Sequence, residues 1–155
     1  MGKGNTLQEL HVVSILTTIF LILTLCGTAS AGQLYVNETG WWHVGGDFNS
    51  SDTPIQFAIN NATADDSIYV YNGSYNENVD VNKSLTLEGE GANVVNVTAA
   101  SSDDHVFNVM ANNVTINGFN VSGATGDDRA GMYVTANNCN ISNNIATNNY
   151  RGIFL

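Results

Sequence analysis

From Phe107 to Leu155, apolar and polar positions alternate in very short runs, and the runs recur. Phe107 and Val109, then Val114 and Ile116, then Val121 return 25 positions later as Met132 and Val134, Cys139 and Ile141, and Ala146. The pair Asn112-Asn113 returns as Asn137-Asn138 at the same spacing. A third copy starts at Gly152-Ile153-Phe154-Leu155, 21 positions after Gly131-Met132-Tyr133-Val134. A period of about 20–50 residues marks stacked supersecondary units. Alternation with a period of two predicts strands that bury one face. Asn, Gly and Ser separate the runs, and Asn and Gly tolerate the left-handed backbone of a sharp corner.

No helix-length segment lies between the runs, which excludes a strand-helix-strand repeat. A chain that bends after each short strand and returns to the same register is a parallel β-helix. Its coils stack about 4.7–4.9 Å apart. Val114, Ile116, Cys139 and Ile141 then line one core, with Ile116 over Ile141 and Thr115 pointing outward. Asn112 and Asn113 over Asn137 and Asn138 predict an amide ladder at one corner.

The N-terminal segment has Lys3, an apolar run from Val12 to Cys26, and Ala29-Ser30-Ala31. Basic start, apolar core and small-x-small end are the features of a secretory signal peptide, cut after Ala31. The run is short for a membrane span of about 20 residues. Leu25 is too bulky for a lipoprotein cleavage site ahead of Cys26. The expected organisation is a signal peptide at 1–31, a lead-in at 32–53, and an all-β, right-handed parallel β-helix at 54–155 with a short N-terminal capping helix. That helix is expected from Pro54 to Ala62, with Thr53 as N-cap, Pro54 in the first turn, and Ile55, Ala58 and Ile59 on one face. Asn72-Gly73-Ser74 is expected to be a turn. In the lead-in, Trp41 and Trp42 are expected to cover the open end of the core, and stacking on a sugar ring is the second reading. About four coils fit between Ile68 and Leu155. The last copy stops inside a strand, so the β-helix is expected to be incomplete at its C-terminus and able to self-associate there.

Charge narrows the partners. Formal net charge is −10. After removal of the signal, Lys83, Arg129 and Arg151 are the only Lys or Arg residues. This argues against nucleic acid, anionic lipid and acidic polysaccharide unless cations bridge them. Cys139 would be the one cysteine left, so no disulfide forms within the mature chain. Aspartates pair at Asp65-Asp66, Asp103-Asp104 and Asp127-Asp128. Solvated turns are the default reading. Calcium held by Asp103, Asp104, Asp127 and Asp128 with Asn carbonyls is the sharper one. N-glycosylation sequons occur at Asn37, Asn49, Asn61, Asn72, Asn82, Asn96, Asn113, Asn120 and Asn140.

Pro54-Ile55-Gln56-Phe57-Ala58-Ile59, the run from Asp66 to Val79, and Lys83-Ser84-Leu85-Thr86-Leu87-Glu88-Gly89-Glu90-Gly91 together resemble the opening of right-handed parallel β-helix surface proteins. Asn113-Val114-Thr115-Ile116-Asn117-Gly118-Phe119 and Ile141-Ser142-Asn143-Asn144 resemble the repeats of the NosD-like family, common in archaeal cell-surface proteins. The opening is also similar to that of the pectin-lyase-like enzymes, the pectate lyases and pectin methylesterases. The resemblance implies a fold. It carries no catalytic residue, because no position matches a catalytic motif of those enzymes. Arg129 and Arg151 stand 22 positions apart, near one period, and a solvated turn is the favoured reading for them. The NosD name implies copper, for which His43, His105, Met110 and Met132 are the available ligands. Met132 faces inward and His43 is remote, which disfavours it. The expected function is a secreted or cell-surface module, structural, adhesive or carbohydrate-binding, meeting polysaccharide or neighbouring surface proteins. The alternative is a fragment of a polysaccharide lyase or carbohydrate esterase whose catalytic coils lie outside this chain.

Overall fold

The computed structural model describes residues 30–155. The expected signal peptide therefore lies almost wholly outside the described residues.

Four strand triplets follow one another: β4 (Ser67–Val70), β5 (Gly73–Asn76) and β6 (Val79–Val81); β7 (Thr86–Gly89), β8 (Val95–Thr98) and β9 (Phe107–Val109); β10 (Thr115–Asn117), β11 (Asn120–Ser122) and β12 (Ala130–Val134); β13 (Asn140–Ser142), β14 (Ile145–Ala146) and β15 (Arg151–Phe154). Each strand pairs in parallel with its counterpart in the next triplet, giving three sheets. The chain thus makes three full turns from β4 to β13 and runs on through β15. This is a parallel β-helix.

The register stacks like on like. Ile68 pairs with Leu87, Leu87 with Ile116, and Ile116 with Ile141. A second column runs Tyr75, Val97, Val121, Ala146. A third runs Val79, Phe107, Met132, Ile153. Most of these side chains are buried without solvent contact, while the last layer is partly open: Ile145, Ile153 and Phe154 are exposed. Asn113 and Asn138 take φ of 59° and 58°, the left-handed corner that Asn adopts more readily than branched residues do. At Gly118, φ is +84° and an added Cβ would lie 2.5 Å from the carbonyl oxygen of Gly89, so only glycine lets the two coils close there.

The sheet begins inside the lead-in. β1 (Gln33–Asn37) pairs in parallel with β4, and β2 (Gly40–His43) and β3 (Asn49–Ser50) continue the same sheet antiparallel. The helix α1 (Pro54–Asn61) buries Pro54, Ile55, Ala58 and Ile59. Thr53 makes no side-chain cap; it sits at φ −131° and ψ 65°. Glu77, from the turn after β5, supplies the cap instead. Its Oε1 accepts from the Ile55 N–H at 3.0 Å and its Oε2 from the Gln56 N–H at 2.9 Å. Lys83 closes the other end, its Nζ donating to the carbonyls of Ile59, Asn60 and Ala62. An acid at the N-terminus and a base at the C-terminus both complement the helix dipole. The expected turn at Asn72-Gly73-Ser74 is instead the entry to β5, because Tyr75 must reach the core to fill the second column.

Candidate functional site

The alternation that buries Leu34, Val36, Ile68 and Val70 turns Tyr35 and Tyr69 outward on the first sheet. Trp42 lies opposite Tyr35 in the antiparallel pair, and Tyr69 lies beside Tyr35 on the other flank. Tyr71, just past β4, completes the row. Its ring stacks on Trp42 at 6.0 Å and 12°, and on Tyr35 at 5.9 Å and 29°. Phe48 lies tilted against Trp42, 5.8 Å between centroids at 45°. The outcome is an exterior band of five aromatic rings, of which Phe48 and Tyr71 are the most open, at 51% and 37% exposure.

Trp41 and Trp42 do not share this band. Successive strand residues face opposite ways, so Trp41 is buried in the core beside Val36 while Trp42 looks outward. The paired-Trp reading of a sugar site thus reduces to Trp42. Its companions come from strands distant in sequence.

A groove of about 390 Å³ runs along the band, lined by Asn37, Glu38, Thr39, Trp42, Tyr71 and Asn72. A second of about 280 Å³ continues from Glu38 and Thr39 to Ser50, Ser51 and Asp52. Two carboxylates fix the walls. Glu38 Oε1 accepts from the Ser74 N–H at 2.7 Å, and Glu90 Oε2 accepts from the Asn72 N–H at 2.8 Å. Gly73 admits this contact, because a Cβ there would meet Glu38 Cγ at 2.4 Å. Burial, then the nearby Glu90 and Glu88, pushes the Tyr69 hydroxyl above its ordinary value. Burial, then Glu38, pushes Tyr75 up further. Both phenols remain neutral donors, and Tyr75 donates to the Tyr71 carbonyl at 2.7 Å. Flat aromatic faces beside amide and hydroxyl groups suit the apolar face and rim of a neutral sugar. The surrounding carboxylates disfavour an anionic one.

The other sequence candidates fall elsewhere. The loops carrying Asp103 and Asp127-Asp128 do stack, since the Gly126 N–H donates to the Ser102 carbonyl at 2.8 Å. Asp128 is engaged by Arg151 at 2.6 Å. Asp104 accepts from its neighbour His105 N–H. Among the described residues, no three His, Cys, Asp or Glu side chains converge as a metal site would require. Met132 is fully buried and Met110 is exposed, on opposite faces of their coils. His105 is buried and stacks flat on Tyr133 at 4.3 Å and 5°. Asp66 is not the solvated turn residue expected of an aspartate pair. It is buried and accepts from the N–H groups of Gly32 and Thr63.

Asn112 bridges coils, its Oδ1 accepting from the Asn137 N–H at 2.8 Å. Asn113 and Asn138 are exposed and serve the corner through their backbone, so the expected amide stack of these two residues is absent. Amides pair across coils at other positions: Asn120 Nδ2 with Asn96 Oδ1 at 3.0 Å, and Asn143 Nδ2 with Asn117 Oδ1 at 2.9 Å. Asn144 and Asn149 each span two groups of the preceding coil.

A cell surface glycoprotein of Methanothermus fervidus is 32% identical to this chain over 138 residues, 87% of this chain and 21% of that protein. The chain thus spans about a fifth of the length of that relative. No family model matches the chain, and no solved structure matches it. No helix among the described residues is long and apolar enough to cross a membrane.

Proposed function

We propose that this chain is a structural module of a cell-surface protein, exported by a signal peptide cut after Ala31, in which the β-helix acts as a rigid spacer and scaffold. The observation that carries this reading is the 32% identity to a cell surface glycoprotein along 87% of the chain. The architecture supports it. Parallel coils with a common register resist bending, and stacking needs no disulfide, which suits a chain whose one free cysteine among the described residues is Cys139. The resemblance to NosD-like surface repeats points the same way. The outward aromatic band supports a contact with carbohydrate as part of that role. No specific observation favours the lyase or esterase alternative.

The test is location. Antibody labelling of intact cells, with protease shaving of the surface, should release peptides from residues 32–155. Retention of the protein in the cytoplasmic fraction, beginning at Met1, would overturn the reading.

A further inference from the structure

The groove beside Trp42 is bordered by two sequons, Asn37-Glu38-Thr39 and Asn72-Gly73-Ser74, and both of their asparagines line it. They are far apart in sequence and are brought together by the parallel pairing of β1 with β4, which ends on the Tyr71 N–H donating to the Val36 carbonyl at 2.9 Å, and by Glu38, the middle residue of the first, which accepts from the backbone N–H of Ser74, the third residue of the second, at 2.7 Å. At Asn37, the side-chain Oδ1 accepts from both the N–H and the hydroxyl of Thr39 at 3.0 Å, which leaves Nδ2 free. Asn72 is exposed and uses only its backbone N–H, toward Glu90. Three other sequons are less available. Nδ2 is already donating at Asn49, Asn61 and Asn120.

We propose that at least one of Asn37 and Asn72 carries an N-linked glycan whose first sugar lies in this groove, against Trp42 and Tyr71. The proposal rests on the surface reading above, since it needs export. Attachment joins Asn Nδ2 to the anomeric carbon of a lipid-phosphate-linked sugar donor. The donor's C–O bond to phosphate breaks, the phosphate leaves with the electron pair, and the amide gives up one proton. The sugar's ring C–H face then meets aromatic carbon, and its hydroxyls meet Thr39, Asn37 and the Glu38 carboxylate. The tether makes seating intramolecular, so a contact of low intrinsic affinity suffices. A neutral sugar is the class that fits, because Glu38 and Glu90 repel an acidic one. The glycan also explains how an aromatic band this open stays wetted on an exported protein.

The experiment expresses the full chain with its leader in a host that attaches N-linked glycans. Exported protein is compared with Asn37→Gln/Asn72→Gln, with Asn82→Gln as a control sequon, and with Trp42→Phe. Glycopeptide mass spectrometry should find sugar on at least one of Asn37 and Asn72. Iodide should quench Trp42, taken as the difference from Trp42→Phe, much less in the glycosylated protein than in the double variant, and Asn82→Gln should not change this. Bare Asn37 and Asn72 on protein that reaches the surface would overturn the proposal and leave the surface reading intact. So would sugar on those residues with Trp42 quenching unchanged, or protection given only by added soluble polysaccharide. Failure of the chain to leave the cytoplasm would instead overturn the surface reading itself.

Discussion

The carboxylate of Glu77 caps a helix that begins more than twenty residues before it, its Oε1 accepting from the Ile55 N–H at 3.0 Å. The lid is thereby tied to the first coil by a side chain from that coil. Replacing Glu77 with Ala leaves two N–H groups at a buried helix start and should cost about 1–3 kcal/mol. Lys83→Met, at the other end, should cost about 0.3–1 kcal/mol. Burial holds the Glu77 carboxyl above its ordinary value, even though two backbone donors pull it down. A raised carboxyl favours the protonated form in the folded state. Its contribution is therefore complete below the unfolded value and declines as pH rises through the folded one. Denaturant midpoints of the wild type, taken relative to Glu77→Gln, should fall across that window. A constant difference would show that Glu77 titrates as an unfolded carboxyl does.

His105 gives the opposite slope. Burial first, then Arg129, lowers its imidazole below the usual histidine range, with Asp104 acting weakly the other way. Its Nδ1 accepts from the Ala130 N–H at 2.9 Å, which requires a neutral ring in that tautomer. The folded state binds the proton less well than the unfolded chain. Stability should therefore fall as pH drops from the ordinary histidine value toward the lowered one. His105→Phe keeps the stacking on Tyr133 but orphans a buried N–H, which should cost about 1–3 kcal/mol and remove this part of the pH dependence. The NMR titration of the imidazole reads it directly.

Asp66 receives the Gly32 N–H and the Thr63 N–H. Burial raises its carboxyl, but the bonds from Thr63 and Gly32 outweigh this and leave it below the ordinary value. Its contribution is present above the unfolded value and is lost as pH falls through the folded one. If export cuts after Ala31, the Gly32 nitrogen becomes an ammonium and the bond to Asp66 becomes an ion pair. Protein cut to start at Gly32 should then melt above a version extended by Ala31, and Asp66→Asn should erase the difference. Equal melting temperatures for the two lengths would contradict it.

Asn120 pairs its amide with Asn96, yet its own Oδ1 is buried without a partner. The residue in register on the next coil is Ile145, an exposed hydrophobe whose side chain cannot donate. Ile145→Asn should extend the ladder by one amide and raise stability by about 0.5–1.5 kcal/mol. A lower melting temperature would mean the Ile145 contact outweighs the missing bond.

The columns of the fold were legible in the sequence because the period is carried by the residues that stack. Phe107 over Met132 and Ile116 over Ile141 were readable from spacing alone, as was the change to 21 positions that sets Met132 over Ile153. The helix was legible from Pro54 and its apolar face. Its cap was not, since Glu77 is distant in sequence and Thr53 had the expected residue type. The candidate site was half legible. Trp42 stood out, but Trp41 beside it faces inward, and Tyr35, Tyr69 and Tyr71 join it only once β1 is known to pair with both β2 and β4. The alternation in Gln33–Asn37 and Ser67–Val70 carried that signal. The amide pairs were misplaced because a corner Asn can act through its left-handed backbone as well as through its side chain.

Successive coils stack in parallel, each strand in register with its counterpart one turn on. Scalar couplings across hydrogen bonds, measured by NMR on isotope-labelled protein, test it bond by bond. The Thr115 amide should couple to the Leu85 carbonyl, and the Asn140 amide to the Val114 carbonyl, matching separations of 3.0 and 2.8 Å. Couplings from Asn140 to a carbonyl in an antiparallel arrangement, or to a residue one place along from Val114, would contradict the stacked β-helix and every column built on it.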